Sequence, residues 1–196
     1  MRIIRSCDYR RMPWKNGGGE TIEVAIAPPG AELDEFNWRV SMALVSADGP
    51  FSAFAGLDRT LSILEGKGIR LSVSSQTAVD ITPDSEPYGF PADAPAHAWL
   101  IDGPVVDLNV MTRRGWFTHR VASLKSATSV EWRLNSDLTL IVSRTTPLRI
   151  DHRGSMTWLE AGDTAVFEDR GGTLRMVPKA TAEIYIIELN ASPIAP

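Results

Sequence analysis

Lys15, Arg39, Arg59 and Arg113 are the cations of this chain whose neighbours point to chemistry. Lys15 sits in Met12–Thr21, MPWKNGGGET, between Trp14 and Asn16 and ahead of three consecutive glycines. Each glycine loses more backbone freedom on ordering than another residue, so such a run implies close backbone approach or positive φ. Glycine N–H groups, a Lys charge and an indole face suit a small anion. The same run could equally be a loop leading into a strand, with Trp14 as a lid on the core. Arg39 and Ser41 alternate in Trp38–Val45, WRVSMALV. Residues i and i+2 of a strand share a face. Arg39 and Ser41 therefore either point into a pocket or stand on a solvated surface, opposite Trp38, Val40, Met42 and Leu44. Arg59 closes Gly49–Arg59, GPFSAFAGLDR, a compact apolar loop built on Phe51 and Phe54. Asn109 and Arg113 share a face with Asp107 and Met111 in Asp107–Arg114, DLNVMTRR. Guanidinium forks bind carboxylates bidentately, and an amide both donates and accepts. A structural ion pair is the competing explanation, with Asp58 or Asp107 holding Arg59 or Arg113.

The elements that must carry these residues read as strands. Thr21–Ala27, Trp38–Val45, Arg59–Leu64, Ile69–Val73, Val105–Met111, Leu138–Ser143 and Glu183–Leu189 are short and alternate or are rich in β-branched residues. Gly, Pro and Asp punctuate them at Pro28–Gly30, Asp48–Pro50, Glu65–Gly68 and Asp102–Pro104. No ten-residue stretch keeps a helical apolar stripe. The pattern predicts an all-β protein with little helix, a jelly roll or barrel. Two parts are visible, a motif-rich one over 1–114 and a plainer one over 115–196, with exchange of strands between them left open. Leu159–Asp163, LEAGD, followed by Ala165–Phe167, is similar to a hairpin common in cupin barrels.

Composition removes several function classes. The 196 residues are 43% hydrophobic, enough for a core, and their net charge is −4. An acidic chain lacks the basic surface that nucleic-acid phosphates require. No apolar run reaches the ~20 residues of a membrane span, and MRIIRSCDYRRMPWK has no apolar signal core. Cys7 is the only cysteine, so neither an internal disulfide nor a Cys-rich zinc site can form. A cytoplasmic protein is expected. His97, His119 and His152 are the only histidines and are too scattered for a cupin metal cage. No metal and no cofactor are expected.

The segments PWKNGGGET (Pro13–Thr21), WRVS (Trp38–Ser41), DGPFSAFAGLDR (Asp48–Arg59) and DLNVMTRRG (Asp107–Gly115) together resemble the HutD/Ves family. The resemblance implies a bicupin, two jelly-roll β-barrels packed together. It implies association with histidine utilisation in bacteria for the HutD branch, and other physiology for the Ves branch. It implies no established catalytic activity. The reading that follows is a binding protein for a small carboxylate metabolite that senses or regulates in histidine utilisation. Its expected ligand-binding residues are Trp14, Lys15, Asn16, Thr21, Arg39, Ser41, Phe51, Arg59, Asn109 and Arg113. Lys15, Arg39, Arg59 and Arg113 would converge on one pocket, with loss of Arg39 expected to weaken carboxylate binding and Arg59 open to a structural role with Asp58 or Asp107. The alternatives are a metal-free cupin enzyme, an isomerase, epimerase or lyase using Glu23, Asp58 or His97 as acid or base, and a ligand-free interaction module. The catalytic residues, the ligand's identity and the choice between monomer and homodimer are not fixed by the residues.

Overall fold

A computed structural model of the chain describes residues 1–14 and 19–193. The first strands in chain order are β1 (Arg2–Ile4), β2 (Arg10–Pro13), β3 (Gly19–Ala27), β4 (Trp38–Val45) and β5 (Gly49–Pro50). Then follow β6 (Leu57–Glu65), β7 (Ile69–Val73), β8 (Val79–Ile81), β9 (Tyr88–Pro91), β10 (Ala96–Leu100) and β11 (Val105–Arg113). The remainder are β12 (Phe117–Ser126), β13 (Val130–Arg133), β14 (Leu138–Ser143), β15 (Leu148–His152), β16 (Ser155–Leu159), β17 (Thr164–Phe167), β18 (Thr173–Pro178) and β19 (Ala182–Ala191). The one helical turn among the described residues is a 3-10 turn at Ser6–Asp8. The fold is therefore all-β, and no helix among the described residues is long and apolar enough to cross a membrane.

The chain divides into two compact units. One comprises Arg10–Thr118 with Ser192 and Pro193. The other comprises Met1–Tyr9 with His119–Ala191. The expected division at 114/115 differs from this chiefly in where the first nine residues belong. Arg2–Ile4 pairs antiparallel with β17, at Arg2 opposite Val166 and Ile4 opposite Thr164. The first nine residues are held there by side chains too. The Asp163 carboxylate accepts from Arg5 Nη1 at 2.6 Å and from the Ser6 N–H at 2.9 Å.

The Arg10–Thr118 unit has a six-stranded sheet, β2-β3-β4-β11-β6-β9, and a four-stranded one, β5-β10-β7-β8. Their inner faces meet in one core. Ala43, Val45, Leu61, Ile63 and Phe90 come from the first sheet, and Ile69, Leu71, Val73, Ile81 and Ala98 from the second. These residues alternate along their strands, and burying such rows is what stabilises a two-sheet domain. The β6–β7 turn needs glycine. Gly68 has φ +117, and a Cβ there would fall 2.4 Å from the Ile81 carbonyl oxygen. The other unit is built alike, from β1-β17-β14-β19-β12 and β13-β18-β15-β16. Its core runs from Ile141, Ala165, Phe167, Ile184 and Ile186 to Leu148, Ile150, Leu159, Leu174 and Met176.

Candidate functional site

The central strands of the six-stranded sheet lay their side chains out in a grid. Arg39, Met111 and Arg59 stand opposite one another on β4, β11 and β6; Ser41, Asn109 and Leu61 form the next row. Thr21, Ala43, Asp107 and Ile63 form the third, now including β3. Leu61, Ile63, Ala43 and Val45 fill the core end of these rows. The polar members lie where the grid opens into a cavity of about 770 Å³, a size suited to a small metabolite. Arg39, Ser41, Arg59, Asp107, Asn109 and Met111 form its floor. Met12, Pro13, Trp14, Thr21 and Leu33 form one wall and Pro50, Phe51, Ser52 and Phe54 another.

Arg59 interrupts an otherwise apolar row, Leu57, Leu61 and Ile63, and is only 4% exposed. Its guanidinium carbon lies 5.3, 5.2 and 5.7 Å from the ring centres of Phe51, Phe54 and Phe90. Such faces attract a cation but accept no hydrogen bond of ordinary strength. Nη2 reaches only the Met111 sulfur, at 3.5 Å, and Nε and Nη1 have no partner. No ion pair among the described residues joins Arg59 to a carboxylate. Burial pulls its pKa down to about 10, against the attraction of Asp107 and with repulsion from Arg39 adding to the fall. The group stays charged at neutral pH. Arg39 differs: its Nε donates to Glu23 Oε2 at 2.8 Å, and both side chains are buried or nearly so.

Asp107 is wholly buried, and burial pushes its carboxyl up to about 7. Arg59, the Ala43 backbone N–H and the Asn109 side chain oppose that rise. Asn109 Nδ2 donates to Asp107, which turns Asn109 Oδ1 away, and this oxygen has no partner. The cavity therefore holds two buried N–H donors and one buried acceptor, all unsatisfied. Buried polar groups in folded proteins are nearly always paired, and these three are not.

The HutD family model matches residues 6–186. The chain belongs to the HutD family. It is 35% identical over 137 residues to an uncharacterised 21.2 kDa protein in the hutC 3' region of Pseudomonas putida, covering 66% of this chain and 71% of that protein. It is 37% identical over 111 residues to protein Ves of Citrobacter koseri, covering 55% of this chain and 56% of Ves. A conserved protein of unknown function from Pseudomonas aeruginosa PAO1 superposes with a TM-score of 0.89 at 33% identity, over 96% of this chain and 98% of that one. HutD from Pseudomonas fluorescens SBW25, in a formate condition, gives 0.79 at 28% identity, over 97% and 98%. A cupin barrel protein from Leptotrichia buccalis, at 10% identity and 0.55 over 88% and 89%, shares the fold.

Of the expected HutD-family site residues, the structure gathers Trp14, Thr21, Arg39, Ser41, Phe51, Arg59 and Asn109 around the cavity. Lys15 and Asn16 lie outside the described residues. Thr21 Oγ1 is engaged, accepting from Trp14 Nε1 at 2.8 Å. Arg113 is not brought there. Its Nε and Nη2 donate to the carbonyls of Phe36 and Asp34, at 3.0 and 2.6 Å, tying down the loop before β4. Strand parity puts Arg113 on the same face as Asn109, but a long side chain at a strand end reaches past that face. The two arginines exchange weight: Arg39 has its carboxylate and Arg59 has none. Asp58 is not the partner of Arg59, since it faces away and accepts from Arg114 Nε at 2.8 Å. The acid–base candidates do not meet. Glu23 serves Arg39, Asp58 serves Arg114, and His97 stacks on Trp99 at 4.4 Å. The sequence expectation did not include Phe54 and Phe90 against Arg59, or Asp107 in the cavity lining. The signals were there, in the second Phe of the loop and in the Asp107-x-Asn109 alternation.

Proposed function

We propose that this HutD-family chain binds a small carboxylate metabolite in the cavity of its Arg10–Thr118 unit. In this reading it acts without turnover, as a cytoplasmic sensor or regulator in bacterial histidine utilisation. The observation that carries the reading is Arg59. A guanidinium held among three phenylalanine rings, with Nε and Nη1 unpartnered, is costly unless an anion completes it. A carboxylate oxygen accepts a charge-assisted hydrogen bond from such an N–H. The unpartnered Asn109 Oδ1 would accept a hydrogen bond from the same ligand or from an ordered water. The apolar wall of Trp14, Met12 and Pro13 would take its carbon skeleton. The hutC-region relative supports the pathway.

Thermal-shift screening of carboxylates from histidine breakdown, each beside its neutral amide, tests this. A ligand at ~100 times its Kd adds about 2.7 kcal/mol of stability. The acid should raise Tm in the wild-type chain and not in Arg59→Met, and the amide should do neither. A panel in which no carboxylate stabilises, or one that stabilises Arg59→Met equally, contradicts the reading.

A further inference from the structure

We propose that Asp107 is itself a ligand-binding residue, and that it meets the bound carboxylate as its protonated acid, so that each anion entering the cavity brings one proton with it. The inference rests on the carboxylate reading of the same cavity and adds a stoichiometry to it.

The charges around Asp107 can be counted strand by strand. From β6 comes Arg59, unpaired. From β4 comes Arg39, but Glu23 of β3 already neutralises it at 2.8 Å. The loop between β4 and β5 contributes Asp48, whose Oδ1 is occupied by the Leu100 N–H at 2.8 Å. The four-stranded sheet brings Ala98 of β10, with His97 on the alternate face, and β9 brings Phe90. Among the described residues, Asp107 therefore has one uncommitted cation near it, and so would the ligand. Two carboxylates sharing one cation in a buried site do not both stay ionised. The empty site is already near balance, since burial pushes Asp107 up to about 7 even with Arg59 uncovered. A ligand carboxylate accepting from Arg59 screens that charge and adds a negative one.

The step is simple in atoms. A proton from solvent forms an O–H bond on a carboxyl oxygen of Asp107, and that O–H donates to a ligand oxygen. No bond of the ligand breaks. Affinity then falls as pH rises, by up to tenfold per pH unit above the point where the empty site begins to lose its proton.

The test is calorimetric titration of the full chain with acetate and with formate at about pH 8, in buffers of different ionisation enthalpy. The slope of observed heat against buffer heat counts protons. The wild-type slope should approach one proton taken up per acetate. Asp107→Asn should still bind, with a slope near zero and an affinity that no longer changes with pH. Binding without buffer dependence overturns the proposal and leaves the carboxylate reading standing. An unchanged slope in Asp107→Asn overturns it too, because the proton then goes elsewhere. No binding of either anion to the wild-type chain overturns both. Infrared difference spectra with isotope-labelled acetate need no variant: a new protonated-carboxyl band from the protein is expected, and its absence overturns the proposal.

Discussion

At the scale of residues, Arg59 and Asp107 are a pair of buried charges that the fold holds without joining. Arg59→Met keeps volume and removes a cation that lacks a partner. It should cost a carboxylate ligand about 2–5 kcal/mol of binding free energy, read by calorimetry. Fold stability should be unchanged or raised in a denaturant titration, because a buried unpaired charge is unfavourable. Asp107 carries its own signature. Its proton is retained in the folded chain over a range where the unfolded chain, with an ordinary value of 3.8, has lost it. The folded state then binds more protons, so the contribution of Asp107 to stability is greatest below about pH 4 and declines as pH rises to about 7. Moving a carboxyl from 3.8 to about 7 corresponds to a decline on the order of 4 kcal/mol. The stability of the wild-type chain relative to Asp107→Asn should therefore drop across that interval, followed by denaturant titration at each pH. A flat difference would show that Asp107 titrates as an exposed acid does.

At the scale of elements, the site depends on β3, β4, β6 and β11 lying in register, and Gly19 shows how closely they approach. A Cβ on Gly19 would stand 2.1 Å from the Leu44 carbonyl oxygen and 3.0 Å from the Trp14 ring. Gly19→Ala should cost about 1–3 kcal/mol, as overpacking does, and weaken ligand binding through the displaced Trp14 wall. Wild-type stability in that variant would contradict the close approach. The Leu159–Asp163 hairpin has a comparable role in the other unit. Burial alone would raise the Asp163 carboxyl, but the Ser6 N–H, Arg5 and the Glu160 N–H together hold it below the ordinary range. Asp163→Ala should release the first nine residues, seen as faster hydrogen exchange at Ile3 and Ile4 with the β6 and β11 amides unchanged.

Legibility from sequence divides along the same lines. Strand alternation made Arg39 with Ser41, and Asp107 with Asn109, readable as shared faces, because a period of two fixes the face. It did not decide which face is inside. Trp38, Val40 and Met42, opposite Arg39, are buried as well, so burial pattern alone carried no direction. Pairing between charges was unreadable, because Glu23 meets Arg39 only through the β3–β4 register. Asp58 adjoins Arg59 in sequence and suggests an ion pair, yet adjacent residues on a strand point apart. Arg113 was included by parity and lost by length.

At the scale of the whole molecule, the chain shares a cupin fold but not the residues of a cupin metal cage. No group of three His, Cys, Asp or Glu side chains among the described residues could hold a metal ion. Elemental analysis of protein purified without added metal should find well under one transition metal per chain, and chelation should leave carboxylate binding unchanged. About one zinc, iron, manganese or nickel per chain, with binding lost on chelation, would contradict this. The central claim, that Arg59 is a buried cation awaiting a carboxylate, is tested most directly by its own N–H. In a ¹⁵N–¹H spectrum the Arg59 Nε–H signal is the guanidinium resonance missing from Arg59→Met. Titration with formate or acetate should shift that signal downfield in a saturable way, as a new hydrogen bond to an anion requires, while the signal of Arg70, salt-bridged to Asp80 on the surface, stays in place. An Arg59 signal that does not move at saturating carboxylate contradicts the account.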